Sequence, residues 1–209
     1  MALKAMVTME AEVERAAREE GIDLIGFVGT EGLRNLDLPW AKSAVVFGIA
    51  VRDDLLVTGV KYPHWPKARQ LIDILLDDIA RNIAARLEAL GHKAVAVSSS
   101  EPRYGVRRLA LEAALGSIGK NGLIVTPQFG PRVRFGAVLT DAPLKPTPRE
   151  KREYCAGCNI CVERCPAGAI GATVDRGRCI EYTRKNLLKV SEYSERHCLV
   201  CTNVCPVGR

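Results

Sequence analysis

Apolar and polar positions alternate along the chain in a way that predicts a run of short elements. From residue 8 to residue 20, Ala, Glu and Arg recur at helical spacing and stop at Gly21, which predicts an opening helix. Residues 22–28 and 44–51 are apolar runs bounded by turn or polar residues; each is too short for an apolar helix and predicts a buried strand. Between residues 68 and 90, Ile72, Leu75, Leu76, Ile79, Ile83, Leu87 and Leu90 share one face with charges opposite, and the pattern ends at Gly91. This predicts the long helix of the domain. Residues 94–97 predict a strand, 106–115 a helix closed by Gly116, and 123–126 and 133–139 two more strands. The order α-β-β-α-β-α-β-β requires both short crossovers and antiparallel neighbours. The expected fold class is therefore α/β (α+β), a sandwich with a mixed sheet and helices on its faces.

Two stretches break the periodicity. Residues 60–67 hold two prolines and two aromatics and predict a loop, able to staple onto the core or to pack against a flat ligand. Residues 141–152 set Pro143, Pro146 and Pro148 among charges and predict a stiff linker. The expected domains are 1–144 and 145–209.

Composition adds that the first part can bury a core: of 209 residues, 47% are hydrophobic and 26% charged. The net charge of +6 is concentrated, with ten Lys or Arg against three Asp or Glu between Arg103 and Arg152. Such a face could meet phosphate, as in tRNA or a nucleotide, or an acidic electron donor; a solvated surface would look the same. The chain opens Met-Ala-Leu-Lys-Ala-Met, with no apolar run long enough for a signal peptide or membrane span. The expectation is a cytoplasmic protein with no membrane partner, whose cysteines stay reduced. His64, His92 and His197 are scattered and read as surface or packing residues.

All eight cysteines lie from Cys155 onward. The first set reads Cys155-Ala-Gly-Cys158-Asn-Ile-Cys161-Val-Glu-Arg-Cys165-Pro166, the run with which two-cluster bacterial ferredoxins hold iron–sulfur cubanes. The second is Cys179, then Cys198-Leu-Val-Cys201-Thr-Asn-Val-Cys205-Pro206, with its first cysteine displaced upstream by an insertion. Cys-x2-Cys pairs also bind structural zinc, and eight cysteines could form four disulfides in a small secreted protein. The two Cys-Pro endings and the three-residue spacing before them favour two [4Fe-4S] clusters. Where such runs are paired, the fourth cysteine of each serves the other cluster. The expected ligand sets are Cys155, Cys158, Cys161 and Cys205 for one cluster, and Cys165, Cys179, Cys198 and Cys201 for the other.

Gly116-Ser-Ile-Gly119-Lys120-Asn-Gly122 lies between a helix and a strand, the reverse of the placement that phosphate loops and dinucleotide fingerprints require. Its glycines still allow close backbone approach, and Lys120 could reach a phosphate or carboxylate. Taken with Phe-Gly-Pro-Arg132-Val-Arg134-Phe-Gly-Ala-Val-Leu-Thr-Asp-Ala-Pro-Leu, the cysteine sets and Ala167-Gly168-Ala169-Ile170, this turn resembles the epoxyqueuosine reductases and their reductive dehalogenase relatives. The resemblance runs from about Gly21 to Pro206 and is sharp after Arg107.

The resemblance implies an N-terminal domain of nitroreductase-like, corrinoid-binding fold and a ferredoxin-like domain with two [4Fe-4S] clusters. It implies a cobalamin-dependent reductase in which electrons pass through the clusters to cobalt, the corrinoid carrying the hard chemistry. Gly116, Gly119, Lys120, Gly122, Arg132 and Arg134 are the expected cofactor-binding residues. The family's catalytic aspartate falls on Ser100, so the expected proton donors are Tyr104, as in the dehalogenase branch, and Glu101. Expected partners are a low-potential donor such as a ferredoxin or flavodoxin, a corrinoid or corrinoid protein, and tRNA. The other expectation is a non-catalytic electron carrier or reductive activator serving a partner corrinoid protein or reductase.

Overall fold

The computed structural model describes residues 8–31, 38–51, 65–99, 101, 104–149, 153–186 and 198–209. Helix α1 is Met9–Glu19, β1 Leu24–Gly29, β2 Ser43–Ala50, α2 Trp65–Ala89, β3 Ala94–Val97, α3 Val106–Glu112, β4 Ser117–Ile118, β5 Ile124–Val125 and β6 Val133–Thr140. Three helices follow: α4 Ile160–Glu163, α5 Arg176–Asn186 and α6 Val200–Asn203. None of the helices among the described residues is long and apolar enough to cross a membrane.

The chain divides into two compact units, one of Met1–Ile49, Leu75–Leu115 and Phe135–Arg149, the other of Ala50–Ile74, Gly116–Arg134 and Glu150–Arg209. The second unit takes the glycine turn and the two arginines after it.

The first unit is built on a sheet of order β1-β2-β6-β3. Val45, Val46 and Phe47 of β2 and Ala137, Val138 and Leu139 of β6 are all fully buried. Successive residues point to opposite faces, so both faces of these central strands are covered, and their sequences run apolar without alternation. The sheet is antiparallel where a mixed one was expected. β1 pairs antiparallel with β2 and β3 with β6. The bonds at the ends of β2, Lys42 N to Thr140 O and Val51 N to Arg132 O, have the same sense, since one strand's number rises as the other's falls. β6 enters between β2 and β3, so neither of these needs a parallel neighbour.

On α2 the stripe Leu76, Ile79, Ala80, Ile83, Ala84 and Leu87 is buried. Burying each Leu or Ile contributes roughly 1.5–3 kcal/mol. Leu75 and Leu90, expected on that face, are 46% and 41% exposed. α2 starts at Trp65, so residues 65–67 are helical where a loop was expected; Pro66 is tolerated in a first turn, where an N–H has no helical partner. Residues 60–64 lie outside the described residues. α3 ends at Glu112, three residues short of the expectation, because Ala114 is left-handed (φ 60°). Ala114 N donates to Leu111 O (3.1 Å) and Leu115 N to Ala110 O (3.0 Å), a complete Schellman closure with alanine where glycine is usual. Residues 142–149 are no free linker. Phe27 N donates to Thr147 Oγ1 (2.8 Å), Thr147 N to Phe27 O (2.9 Å) and Leu144 N to Ser43 Oγ (3.2 Å), which ties the proline-rich segment along β1 and β2.

Candidate metal centre

The two cysteine sets of the second unit fold alike. Each Cys-x2-Cys leads into a four-residue helix, α4 or α6, with Cys161 and Cys201 at its second position. The two helices pack against each other. Between them, Cys165 is followed by a turn in which its Sγ accepts the Ala169 N–H at 3.3 Å. Ala169 and Ile170 are buried, an Ile170–Val174 bridge follows, and Asp175 N closes on Ala169 O at 2.8 Å. Asp175 then caps α5 through Oδ1 and the Arg178 N–H (3.0 Å), and the first turn of α5 carries Cys179.

Four of the eight thiols line one cavity. All eight are free, and Cys205 is buried where the others are half-buried. The cavity is lined by Cys155, Cys158, Cys161 and Cys205, with Asn121, Val125, Tyr154, Pro206 and Val207. It thus brings the last cysteine of the second set to the first three of the first. The thiols also raise one another's pKa values. Burial, then Cys155, Cys158 and Cys205, push the Cys161 thiol above its usual pKa. Burial, then Cys198 and Cys165, push Cys179 up, against the pull of Arg176. Cys201 is pushed up to about 11, by burial first, then by Cys198, and further by Cys179 and Cys161. Among the described residues no three Cys, His, Asp or Glu side chains gather tightly enough for a single metal ion.

The glycine turn serves these loops. β4 and β5 pair antiparallel, and between them Gly119 N donates to Leu123 O and Gly122 N to Gly119 O, both at 2.8 Å. A Cβ at Gly119 would stand 3.4 Å from Cys155 Sγ. Lys120, expected to bind a cofactor through a phosphate or carboxylate, directs Nζ to the Cys158 carbonyl (2.8 Å) and Asn159 Oδ1 (2.7 Å). Asn121, unremarked in the sequence, is buried, lines the cavity, and donates from Nδ2 to the Cys201 carbonyl at 3.4 Å. Arg132 bonds the carbonyls of Thr202, Cys205 and Val207. Arg134 pairs with Asp73, its Nε buried without a partner among the described residues. Gly116 packs on Val125, where a Cβ would meet the carbonyl at 2.5 Å, and Gly122 lies against Val174. Backbone-carbonyl recognition of this kind leaves no motif, so the sequence pointed to the residues and not to their partners.

The expected proton donors lie in the first unit, between β3 and α3. Asp77 of α2 holds the segment before them, with Oδ2 accepting from Ser98 Oγ (2.9 Å) and Oδ1 from Ser99 N (2.8 Å). Glu101 N then donates to Ser98 O at 2.9 Å. Glu101 and Tyr104 are both half-buried, and Ser99 Oγ is buried with no partner among the described residues. Ser100, His64 and His197 lie outside the described residues; His92 Nδ1 is 3.3 Å from Asp141 Oδ1.

No family model matches the chain. Over 101 residues it is 41% identical to a tetrachloroethene reductive dehalogenase of Desulfitobacterium hafniense, a match to 47% of this chain and 18% of that protein. Over 112 residues it is 33% identical to an epoxyqueuosine reductase of Bacillus cereus, covering 49% of this chain and 29% of that one. The chain thus matches less than a third of the length of these relatives. Among solved structures, a reductive dehalogenase discussed as a B12-dependent enzyme superposes on 100% of this chain and 33% of its own, with a TM-score of 0.78 and 18% identity. An epoxyqueuosine reductase bound to a tRNA stem loop covers 96% of this chain and 65% of its own, with a TM-score of 0.70 and 19% identity. At such identity the structures speak for the fold, and the sequence matches for kinship. Over about half of its length, the chain is thus similar in sequence to both the reductive dehalogenases and the epoxyqueuosine reductases.

Proposed function

We propose that this chain is an iron–sulfur redox protein of the cobalamin-dependent reductase type, resembling epoxyqueuosine reductase. One [4Fe-4S] cluster would be held by Cys155, Cys158, Cys161 and Cys205, and the other by Cys165, Cys179, Cys198 and Cys201. The observation that carries this is the cavity that gathers Cys155, Cys158, Cys161 and Cys205 across the two sets. A cubane binds each thiolate to a different iron and so needs four thiolates around a cavity, wider than the shell of one zinc ion. When bound, the clusters would supply one-electron relay, and a corrinoid the low-potential reduction of substrate.

The chain's own residues have three tasks on this reading. The cysteines hold the clusters as thiolates, while Asn121, Lys120 and Arg132 hold the loops that carry them. Glu101 or Tyr104 delivers a proton to the reduced substrate, on a segment fixed by Asp77. The expected electron donor is a ferredoxin or flavodoxin, and tRNA is a substrate candidate because a similar structure holds a tRNA stem loop.

The second reading, an electron carrier or reductive activator for a partner, is favoured by one observation. Lys120 and Arg132, expected at a cofactor, direct donors to carbonyls of the cysteine loops. Anaerobic reconstitution with iron, sulfide and cobalamin separates the two. Uptake of cobalamin with a base-off spectrum supports the reductase, and iron and sulfide uptake alone supports the carrier.

A further inference from the structure

Arg132 bonds three main-chain carbonyls in the second unit. It follows the turn in which Thr126 and Gly130 bridge, and its guanidinium forks over one stretch of backbone. Nη1 donates to the carbonyls of Thr202 (3.2 Å) and Cys205 (3.1 Å), and Nη2 donates to that of Val207. Thr202 lies in α6, whose last carbonyls have no partner within the helix. Cys205 is the buried member of the eight cysteines and lines the cavity together with Val207. Two nitrogens of a rigid plane reach three carbonyls at once; a lysine, with one nitrogen on a flexible stem, cannot reproduce this fork. The backbone beneath is equally close: a Cβ at Gly130 would stand 2.2 Å from Val207 O, and one at Gly208 2.3 Å from Gly130 N.

We propose that Arg132 is a positioning residue for the cluster of Cys155, Cys158, Cys161 and Cys205, fixing the Cys205–Val207 turn and raising that cluster's reduction potential with its positive charge. This rests on the two-cluster reading. One-electron reduction makes a cluster more negative, and a cation beside it stabilises the reduced form. Net charge, hydrogen bonding and solvent exposure are what set such potentials. A guanidinium keeps its charge throughout the working pH range, so its effect is constant. Its two roles separate by substitution: Arg132→Lys retains the charge and loses the fork, while Arg132→Gln loses the charge.

The test uses the whole chain, reconstituted anaerobically with iron and sulfide, and reads iron content, release of iron to a chelator, and midpoints from a dithionite titration followed by electron paramagnetic resonance. Arg132→Gln is expected to move one midpoint to more negative potential and leave the other in place, and Cys205→Ser should alter the same midpoint. Arg132→Lys is expected to keep both midpoints near wild type but release iron from one cluster several-fold faster. An Arg132→Gln protein with full iron and both midpoints unmoved, or both moved equally, overturns the charge role. Should Arg132→Gln fail to assemble, Arg132→Lys decides, and wild-type iron release from it overturns the positioning role. A wild-type chain that takes up no iron refutes the two-cluster reading itself; a wild-type chain with two clusters beside unaltered variants refutes the role of Arg132 alone.

Discussion

Replacing Gly130 by alanine tests whether the turn before Arg132 is fitted to the last cysteine loop, and the chain supplies its own control. Gly130 and Gly168 have nearly the same left-handed backbone, φ 57° and 56°. Their surroundings differ: a Cβ at Gly168 meets nothing within 4 Å, and one at Gly130 would stand 2.2 Å from Val207 O and 3.1 Å from Val207 C. Left-handed strain costs an alanine roughly 1–2 kcal/mol at either site. The gain from a stiffer unfolded chain, about 0.4–1 kcal/mol, is common to both and cancels in the comparison. At Gly130 the obstacle is backbone, which cannot rotate away, so an overpacking cost of about 1–3 kcal/mol is added. Gly130→Ala should therefore destabilise the second unit by about 1–3 kcal/mol more than Gly168→Ala. It should also lower iron content, because the displaced Val207 is two residues from Cys205. Denaturant unfolding followed by circular dichroism, with iron analysis after anaerobic reconstitution, reads both. Equal losses in the two variants, with equal iron, would show that residues 130 and 207 are not in contact.

Other outcomes follow from single features. Ala114→Gly relieves left-handed strain of roughly 1–2 kcal/mol at the end of α3 against a backbone entropy cost of about 0.5–1, so a net gain near 0.5–1 kcal/mol is expected in the unfolding of the first unit. In the metal-free chain the Cys201 thiol is raised from 9.0 to about 11, with Cys161 and Cys179 raised in the same direction. A raised thiol contributes stability that is full below the unfolded pKa and lost as pH climbs through the folded one. Unfolding free energy should thus fall by roughly 2 kcal/mol between pH ~9 and ~11 for Cys201 alone; a flat profile over that range would contradict the burial. If the chain is a reductase, Tyr104→Phe should cut turnover about a hundredfold or more with clusters and corrinoid uptake intact. Unchanged turnover in it and in Glu101→Gln would remove both residues as donors.

Much of the first unit was legible because burial on both faces leaves a plain mark in sequence. The runs that became β2 and β6 are apolar without alternation, and α2 repeats Leu76, Ile79, Ile83 and Leu87. What failed was set by tertiary contacts. Ala114 belongs to a good helix-forming stretch and is left-handed all the same. β4 is two residues long, below any periodicity. The mixed sheet was inferred from element order, which does not reveal that β6 inserts between β2 and β3. In the second unit, spacing marked the cysteines, four of which line one cavity. The glycine turn, Lys120 and Arg132 drew notice as candidates for binding a ligand; that Lys120 and Arg132 reach main-chain carbonyls is something no side-chain pattern encodes.

The exchange of cysteines between the two sets is the centre of this account, and one set of four variants tests it. The wild-type chain, reconstituted anaerobically, should hold about eight irons and eight sulfides as two [4Fe-4S] clusters. Cys158→Ser, Cys205→Ser, Cys201→Ser and Cys165→Ser each disturb one cluster, and Mössbauer and electron paramagnetic resonance spectra identify the one that remains intact. The account predicts that Cys205→Ser matches Cys158→Ser, and that Cys165→Ser matches Cys201→Ser. If Cys165→Ser instead matches Cys158→Ser, each run of cysteines holds its own cluster and the exchange is wrong.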